Sequence, residues 1–228
     1  MAIMIAKVLI QSLLGLLVLG LLLFAPAGTL SWPEGWAYLL LFMVCSLAMT
    51  LWMLKADPAL LAARMQSPLK AEQKPRDRII VSLLLIFFCA WMAFIALDAE
   101  RFEWSDGPVW LEVVGAVLVA WSFWGFYTVL RANSFAATTI GVQKERGQSV
   151  ISSGPYAVIR HPMYAYLFPF AIGTTLMLGS LWGLLGLIPM AIILAARIFG
   201  EEAVLADELP GYRNYVSRVR YRLLPGVW

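Results

Sequence analysis

One histidine, His161, and two cysteines, Cys45 and Cys89, are all that 228 residues offer for metal or thiol chemistry. A multi-histidine centre is thereby excluded. Both cysteines sit inside apolar stretches, so neither a zinc site nor a disulfide framework has support. Charge is scarce too: Asp, Glu, Lys and Arg make up 14% of the chain, against about 25% in an average soluble domain. The net charge of +3 suggests no nucleic-acid partner. No G-x-G-x-x-G follows a strand pattern, so a soluble dinucleotide-binding fold lacks its fingerprint.

Apolar residues are what the chain has in excess, at 61% and in long blocks. Segments that are apolar on every side are expected where lipid is the solvent. Runs of spanning length occur at 8–24, 36–54, 79–97, 109–130, 162–179 and 182–199. They predict an all-α integral membrane protein with about six transmembrane helices and a C-terminal cytoplasmic helical segment. Only Ser180 and Leu181 separate the last two runs, which are expected to form a tight helical hairpin kinked at Pro169 and Pro189. The first run, preceded by Lys7 and followed by Ala25-Pro26-Ala27, resembles a signal peptide. Its apolar core is longer than that of a signal, and it reads as a retained helix.

Threading these six runs puts sixteen of the seventeen Lys and Arg residues on one side and leaves Arg101 alone on the other. Lys55, Arg64, Lys70, Lys74, Arg76 and Arg78 fall in one basic loop; Arg131, Lys144, Arg146 and Arg160 fall in the next. The positive-inside rule makes loops 55–78 and 131–161 and both termini cytoplasmic. Glu34, Asp98, Glu100, Glu103 and Asp106 mark the opposite face, with Trp32, Trp36, Trp104, Trp110 and Trp182 placed as an aromatic belt. Gly115, Gly173, Gly183 and Gly186 suit close helix packing, within or between chains.

The chain changes character near Leu130. Residues 1–130 read as four spans joined by chemically plain loops, whereas residues 131–228 concentrate polar groups at helix ends on the basic side. His161 precedes Pro162, a residue suited to the first turn of a helix, so His161 takes the cap position. There its imidazole would lie over free backbone N–H groups, with Tyr164 facing the same space. Arg197 and Glu201 are one helical turn apart. An ion pair at the membrane boundary is the plain interpretation, but ionisable groups at the end of an apolar run are functional candidates. Arg197 could hold an anion and Glu201 a cationic amine; Glu202 points about 100° away around the helix.

Three linked motifs stand in order: Gly154-Pro155-Tyr156-x-x-x-Arg160-His161-Pro162-x-Tyr164, then Arg197-x-x-x-Glu201-Glu202, then Gly211-Tyr212-x-x-Tyr215. Together they resemble the isoprenylcysteine carboxyl methyltransferase family and related membrane phospholipid methyltransferases, the bacterial branch in particular, over roughly residues 130–228. The resemblance implies S-adenosyl-L-methionine as methyl donor. Gln143, Gln148, Ser149, Val150, Ile151, Tyr156, His161, Pro162, Met163, Tyr164 and Glu201 would line its site. It further implies Arg197, Glu201 and His161 as the catalytic group, with Arg197, Asn133 and Glu202 toward the acceptor.

The implied partner is a lipid or a prenylated small molecule or protein, met in the bilayer; no metal and no nucleic acid is called for. The implied location is the bacterial cytoplasmic membrane. Transfer from an activated sulfonium to a carboxylate needs alignment and desolvation but no base. Transfer to an amine needs a proton acceptor, for which Glu201, Glu202 and His161 are available. Two other functions compete. A sterol-reductase-like enzyme would bind NADPH, with Lys144 and Arg146 toward the 2′-phosphate. A transporter or scaffold would instead want ionisable groups through the midplane.

Overall fold

The structure is a computed structural model and describes residues 2–67, 69, 75–137 and 140–228. Lys70 and Lys74 of the first basic loop lie outside the described residues. Eight α-helices and no strands occur among the described residues: α1 (Ala2–Ala27), α2 (Pro33–Ala56), α3 (Pro58–Arg64), α4 (Pro75–Ala96), α5 (Trp110–Ala132), α6 (Pro162–Met177), α7 (Leu187–Glu208) and α8 (Tyr212–Arg218).

Among the described residues, five segments are long and apolar enough to cross a membrane: Met4–Ala27, Pro33–Ala56, Pro75–Arg101, Trp110–Ala132 and Trp182–Glu208. The expected sixth, α6, has 16 residues, about 24 Å at roughly 1.5 Å per residue, short of a hydrocarbon core about 30 Å thick. Its two ends are both fixed. Pro162 occupies the first turn, and Gly179 at φ 80° closes the last. There Gly179 N–H donates to Leu176 O and Ser180 N–H to Thr175 O, a Schellman ending.

Helices α6 and α7 are antiparallel, as a hairpin requires, but the closest partner of α6 is α5. Gly115 on α5 and Gly173 on α6 permit this. A Cβ built on Gly173 would meet the Gly115 carbonyl at 2.7 Å, so the backbones touch where side chains would hold them apart. Pro169 lies inside α6 as expected. Pro189 does not kink α7: a 3₁₀ turn at Trp182–Gly186 delays the helix, leaving Pro189 in its first turn, where a missing N–H is harmless.

The core fills the end away from the basic loops, around Leu23, Trp32, Tyr38, Met92, Ile95, Leu178 and Leu194. Trp32 is 2% exposed and packs against Phe24, so it is a core residue and not part of a belt. Trp36, Trp104, Trp110 and Trp182 are exposed. Fully buried Asp98 joins the loops at this end, accepting from Ser105 Oγ at 2.7 Å and Ser180 Oγ at 2.6 Å. At the basic end, α3 returns along the bundle, its start capped by Asp57, which accepts from Leu60 N–H at 2.9 Å. Leu60 and Leu61 bury against Met53 and Leu130. Outward residues such as Leu9, Ile10, Leu13, Leu14 and Leu17 of α1 are exposed, a surface suited to lipid.

Candidate active site

His161 caps α6 at φ −125° and ψ 59°, with Pro162 behind it, but its imidazole makes no cap hydrogen bond. It turns instead to α7, where Nε2 lies 3.2 Å from Glu202 Oε1 and Nδ1 lies 3.8 Å from Glu201 Oε2. The backbone is held from the other side. Arg160 N–H donates to Tyr221 O and His161 N–H to Arg222 O, both at 2.9 Å, so the segment after α8 folds back along the start of α6. The Tyr164 ring stacks on the imidazole, with centroids 5.7 Å apart and planes 13° apart.

The Tyr164 hydroxyl stands between Arg197 and Glu201. It accepts from Arg197 Nε at 2.9 Å and donates to Glu201 Oε2 at 2.8 Å. Arg197 is 6% exposed, and its Nη1 lies 3.3 Å from Asp77 Oδ1 on α4. Asp77 Oδ2 in turn accepts from Ile140 N–H at 3.4 Å. The chain thus runs from α4 through α7 and α6 and back to α7, each link joining a charged group to a neutral or opposite one.

Glu202 belongs to a different cluster. It accepts from Arg160 Nε at 2.7 Å and from Arg222 Nε at 3.0 Å, beside the His161 contact. Arg160 also donates to the carbonyls of Val219 and Arg220. The Arg222 guanidinium lies over the rings of Phe199 and Trp228, 5.1 and 5.3 Å from their centroids. Adjacent carboxylates on one helix therefore face different surroundings: Glu201 opens to a cleft, and Glu202 neutralises arginines.

That cleft has an open volume of about 930 Å³ at the basic end. Of the residues singled out from sequence, Asn133, Gln148, Ser149, Val150, Ile151, Tyr156, His161, Met163, Tyr164 and Glu201 line it. Gln143, Pro162, Arg197 and Glu202 do not. Gln143 acts as a brace: its N–H donates to Gln148 Oε1 at 2.7 Å and its Nε2 to Phe135 O at 2.7 Å. Asn133 Nδ2 donates to the Tyr156 hydroxyl at 3.0 Å, and Tyr215 OH donates to the Tyr156 carbonyl at 2.8 Å. Desolvation lifts the Tyr156 phenol to about 12, only partly offset by the Asn133 hydrogen bond. Burial likewise raises Tyr212 and Tyr215. All three rings thus present neutral hydroxyl groups near neutral pH.

A second, largely apolar cavity lies deeper in the bundle, among α2, α4, α5, α6 and α7. Its walls include Met49, Leu84, Phe88, Phe126, Leu167 and Phe170, and Arg197 lines it. Arg64, Ala137, Met163 and Tyr164 line both cavities. Sequence reading missed Arg64 and Asp77, which had entered only a tally of loop charges or none.

Residues 110–209 match the family model described as phospholipid methyltransferase. This stretch, a little under half of the chain, is similar to the phospholipid methyltransferase family. No curated protein matches the chain. The matched stretch begins with α5 and ends at the close of α7, and so contains Asn133, Tyr156, His161, Tyr164, Arg197 and Glu201. Arg64 reaches the cleft from before the matched stretch and Tyr212 and Tyr215 from after it, while Asp77, also before it, contacts Arg197. The match, together with the long apolar helices, supports a membrane methyltransferase acting on lipid-like substrates.

Proposed function

We propose that the protein transfers a methyl group from S-adenosyl-L-methionine to a lipidic acceptor, an isoprenylcysteine-type carboxylate or a phospholipid amine, at the cytoplasmic face of a bacterial inner membrane. One observation carries the reading: the polar cleft and the apolar cavity share a wall at Arg64, Ala137, Met163 and Tyr164. A water-soluble donor and a lipid-borne acceptor need such adjoining compartments.

The donor's chemistry fits the cleft. Glu201 suits its ammonium group, and the 148–151 strip with Tyr156 offers amide and hydroxyl groups beside apolar Val150 and Ile151. The bound donor supplies an already activated methyl group. His161 and Tyr164 fix the position of Glu201 through the contacts at 3.8 and 2.8 Å. Arg197, tied to Tyr164 and Asp77, presents a cation at the head of the apolar cavity, where it orients the acceptor. A carboxylate acceptor requires only that these groups align and dehydrate it. For an amine, Glu201 and His161 are the nearby proton acceptors.

The NADPH reading gains less support. Arg146 donates to Gln143 Oε1 at 2.5 Å and lies over the Phe135 ring, and neither Lys144 nor Arg146 lines the cleft. A transporter is disfavoured because the ionisable site residues gather at one end of the bundle. The test is incubation of the purified chain with lipid extracts and isotopically labelled S-adenosyl-L-methionine, read by mass spectrometry. A labelled lipid is expected; its absence with extracts of several compositions contradicts the proposal.

A further inference from the structure

Three arginines line the two cavities, Arg64, Arg160 and Arg197, and two of them have carboxylate partners. Arg160 pairs with Glu202 at 2.7 Å, and Arg197 lies 3.3 Å from Asp77. Arg64 is different. Its Nη1 donates to the Ala136 carbonyl at 3.0 Å, and no carboxylate among the described residues lies within ion-pair distance of it.

The placement of Arg64 is enforced. It ends α3, whose start is fixed by the Asp57 cap and whose Leu60 and Leu61 are anchored in a small apolar core. The side chain consequently lines both the polar cleft and the apolar cavity. Desolvation there lowers its proton affinity, against a smaller opposing influence of Tyr156. A partly dehydrated cation without a counter-ion is unfavourable, and an incoming anion relieves it. A guanidinium with one donor engaged retains others for a two-pronged contact to paired oxygen atoms.

We propose that Arg64 binds the anionic oxygen atoms of the lipid acceptor, a carboxylate or a headgroup phosphate, at the junction of the two cavities. The naming of the ligand as acceptor rests on the methyltransferase reading; the binding of an anionic lipid does not. Arg64 then supplies a cation with no carboxylate partner among the described residues, while Arg197, paired with Asp77, acts as an orienting group. Residues outside the matched domain thus take part in choosing the acceptor.

The test is equilibrium binding by the full chain in detergent, using four probes: two lipids with an anionic group, N-acetyl-S-farnesylcysteine (a carboxylate) and zwitterionic lysophosphatidylethanolamine (a phosphate), with hexadecylamine and S-adenosylhomocysteine. Arg64→Ala is expected to weaken one or both anionic lipids about tenfold or more. Hexadecylamine and S-adenosylhomocysteine should be unaffected, and Arg64→Lys should recover part of the loss. Loss for the carboxylate alone or the phosphate alone identifies the anion. Unchanged affinity for both anionic lipids overturns the proposal. So does a loss confined to S-adenosylhomocysteine, which would assign Arg64 to the donor's own carboxylate. An equal loss for hexadecylamine overturns it as well, since that would signify a collapsed cavity. Failure of the wild-type chain to bind either anionic lipid also sinks it, whereas failure to bind S-adenosylhomocysteine sinks only the methyltransferase reading.

Discussion

Glu201 and Glu202 are neighbours in sequence, yet replacing them should have opposite consequences. Glu202 accepts from Arg160 Nε at 2.7 Å and from Arg222 Nε at 3.0 Å, and it also contacts His161. Its side chain is 14% exposed, that of Arg160 is 4% exposed, and that of Arg222 is 26% exposed. Glu202→Ala therefore strands one deeply buried cation and one partly wet one. Breaking a buried pair from one side costs about 3–5 kcal/mol. Arg160 keeps the carbonyls of Val219 and Arg220, and Arg222 can take water, so the lower end applies, about 3 kcal/mol. For a chain of this size that corresponds to a drop in melting temperature of roughly 6–12 °C. Glu201 is a cleft residue with a 28% exposed side chain, and Glu201→Gln should melt within a degree or two of wild type while losing S-adenosylhomocysteine binding. The assay is thermal unfolding of the detergent-solubilised chain followed by tryptophan fluorescence, with ligand calorimetry in parallel. Wild-type melting of Glu202→Ala together with unfolding of Glu201→Gln would refute the division of labour.

Two further outcomes follow from the same contacts. Tyr164→Phe keeps the ring but removes the hydroxyl between Arg197 and Glu201. Because Glu201 can recruit water, the loss lies near the low end for charged hydrogen bonds, about 1.5 kcal/mol. That is about a tenfold weaker S-adenosylhomocysteine affinity by calorimetry; wild-type affinity would show that Tyr164 does not position Glu201. At high pH, Tyr156 holds its proton to about 12 in the folded chain but releases it near 10.0 when unfolded. The folded state then binds more protons across that window, so stability falls as pH rises from 10.0 to about 12. Denaturant titrations over this range should show a shallower decline for Tyr156→Phe than for wild type; identical slopes would contradict the assignment.

Much of the fold was legible because lipid imposes long apolar runs on the sequence. The start of α6 was legible too, since His161-Pro162 leaves few alternatives for the backbone. The destination of the imidazole was not: Glu202 lies 41 positions away, and its approach depends on how α6 and α7 are joined. The same holds for Trp32, which the belt pattern assigns to an interface and the packing of α1 on α2 takes into the core. Pro189 misled because periodicity does not reveal a 3₁₀ turn ahead of α7. Arg64 and Asp77 carry no local signal that separates them from other loop charges. Only the return of α3 beneath the cleft and the placement of Asp77 in the first turn of α4 bring them to Tyr164 and Arg197.

On the proposed function, the cleft above Glu201 takes the methyl donor. Titration calorimetry of the purified chain against S-adenosylhomocysteine and NADPH addresses it directly. Saturable binding of S-adenosylhomocysteine, lost in Glu201→Gln and His161→Ala and absent for NADPH, is the expected result. Folded protein that ignores S-adenosylhomocysteine, or that binds NADPH in its place, contradicts the account.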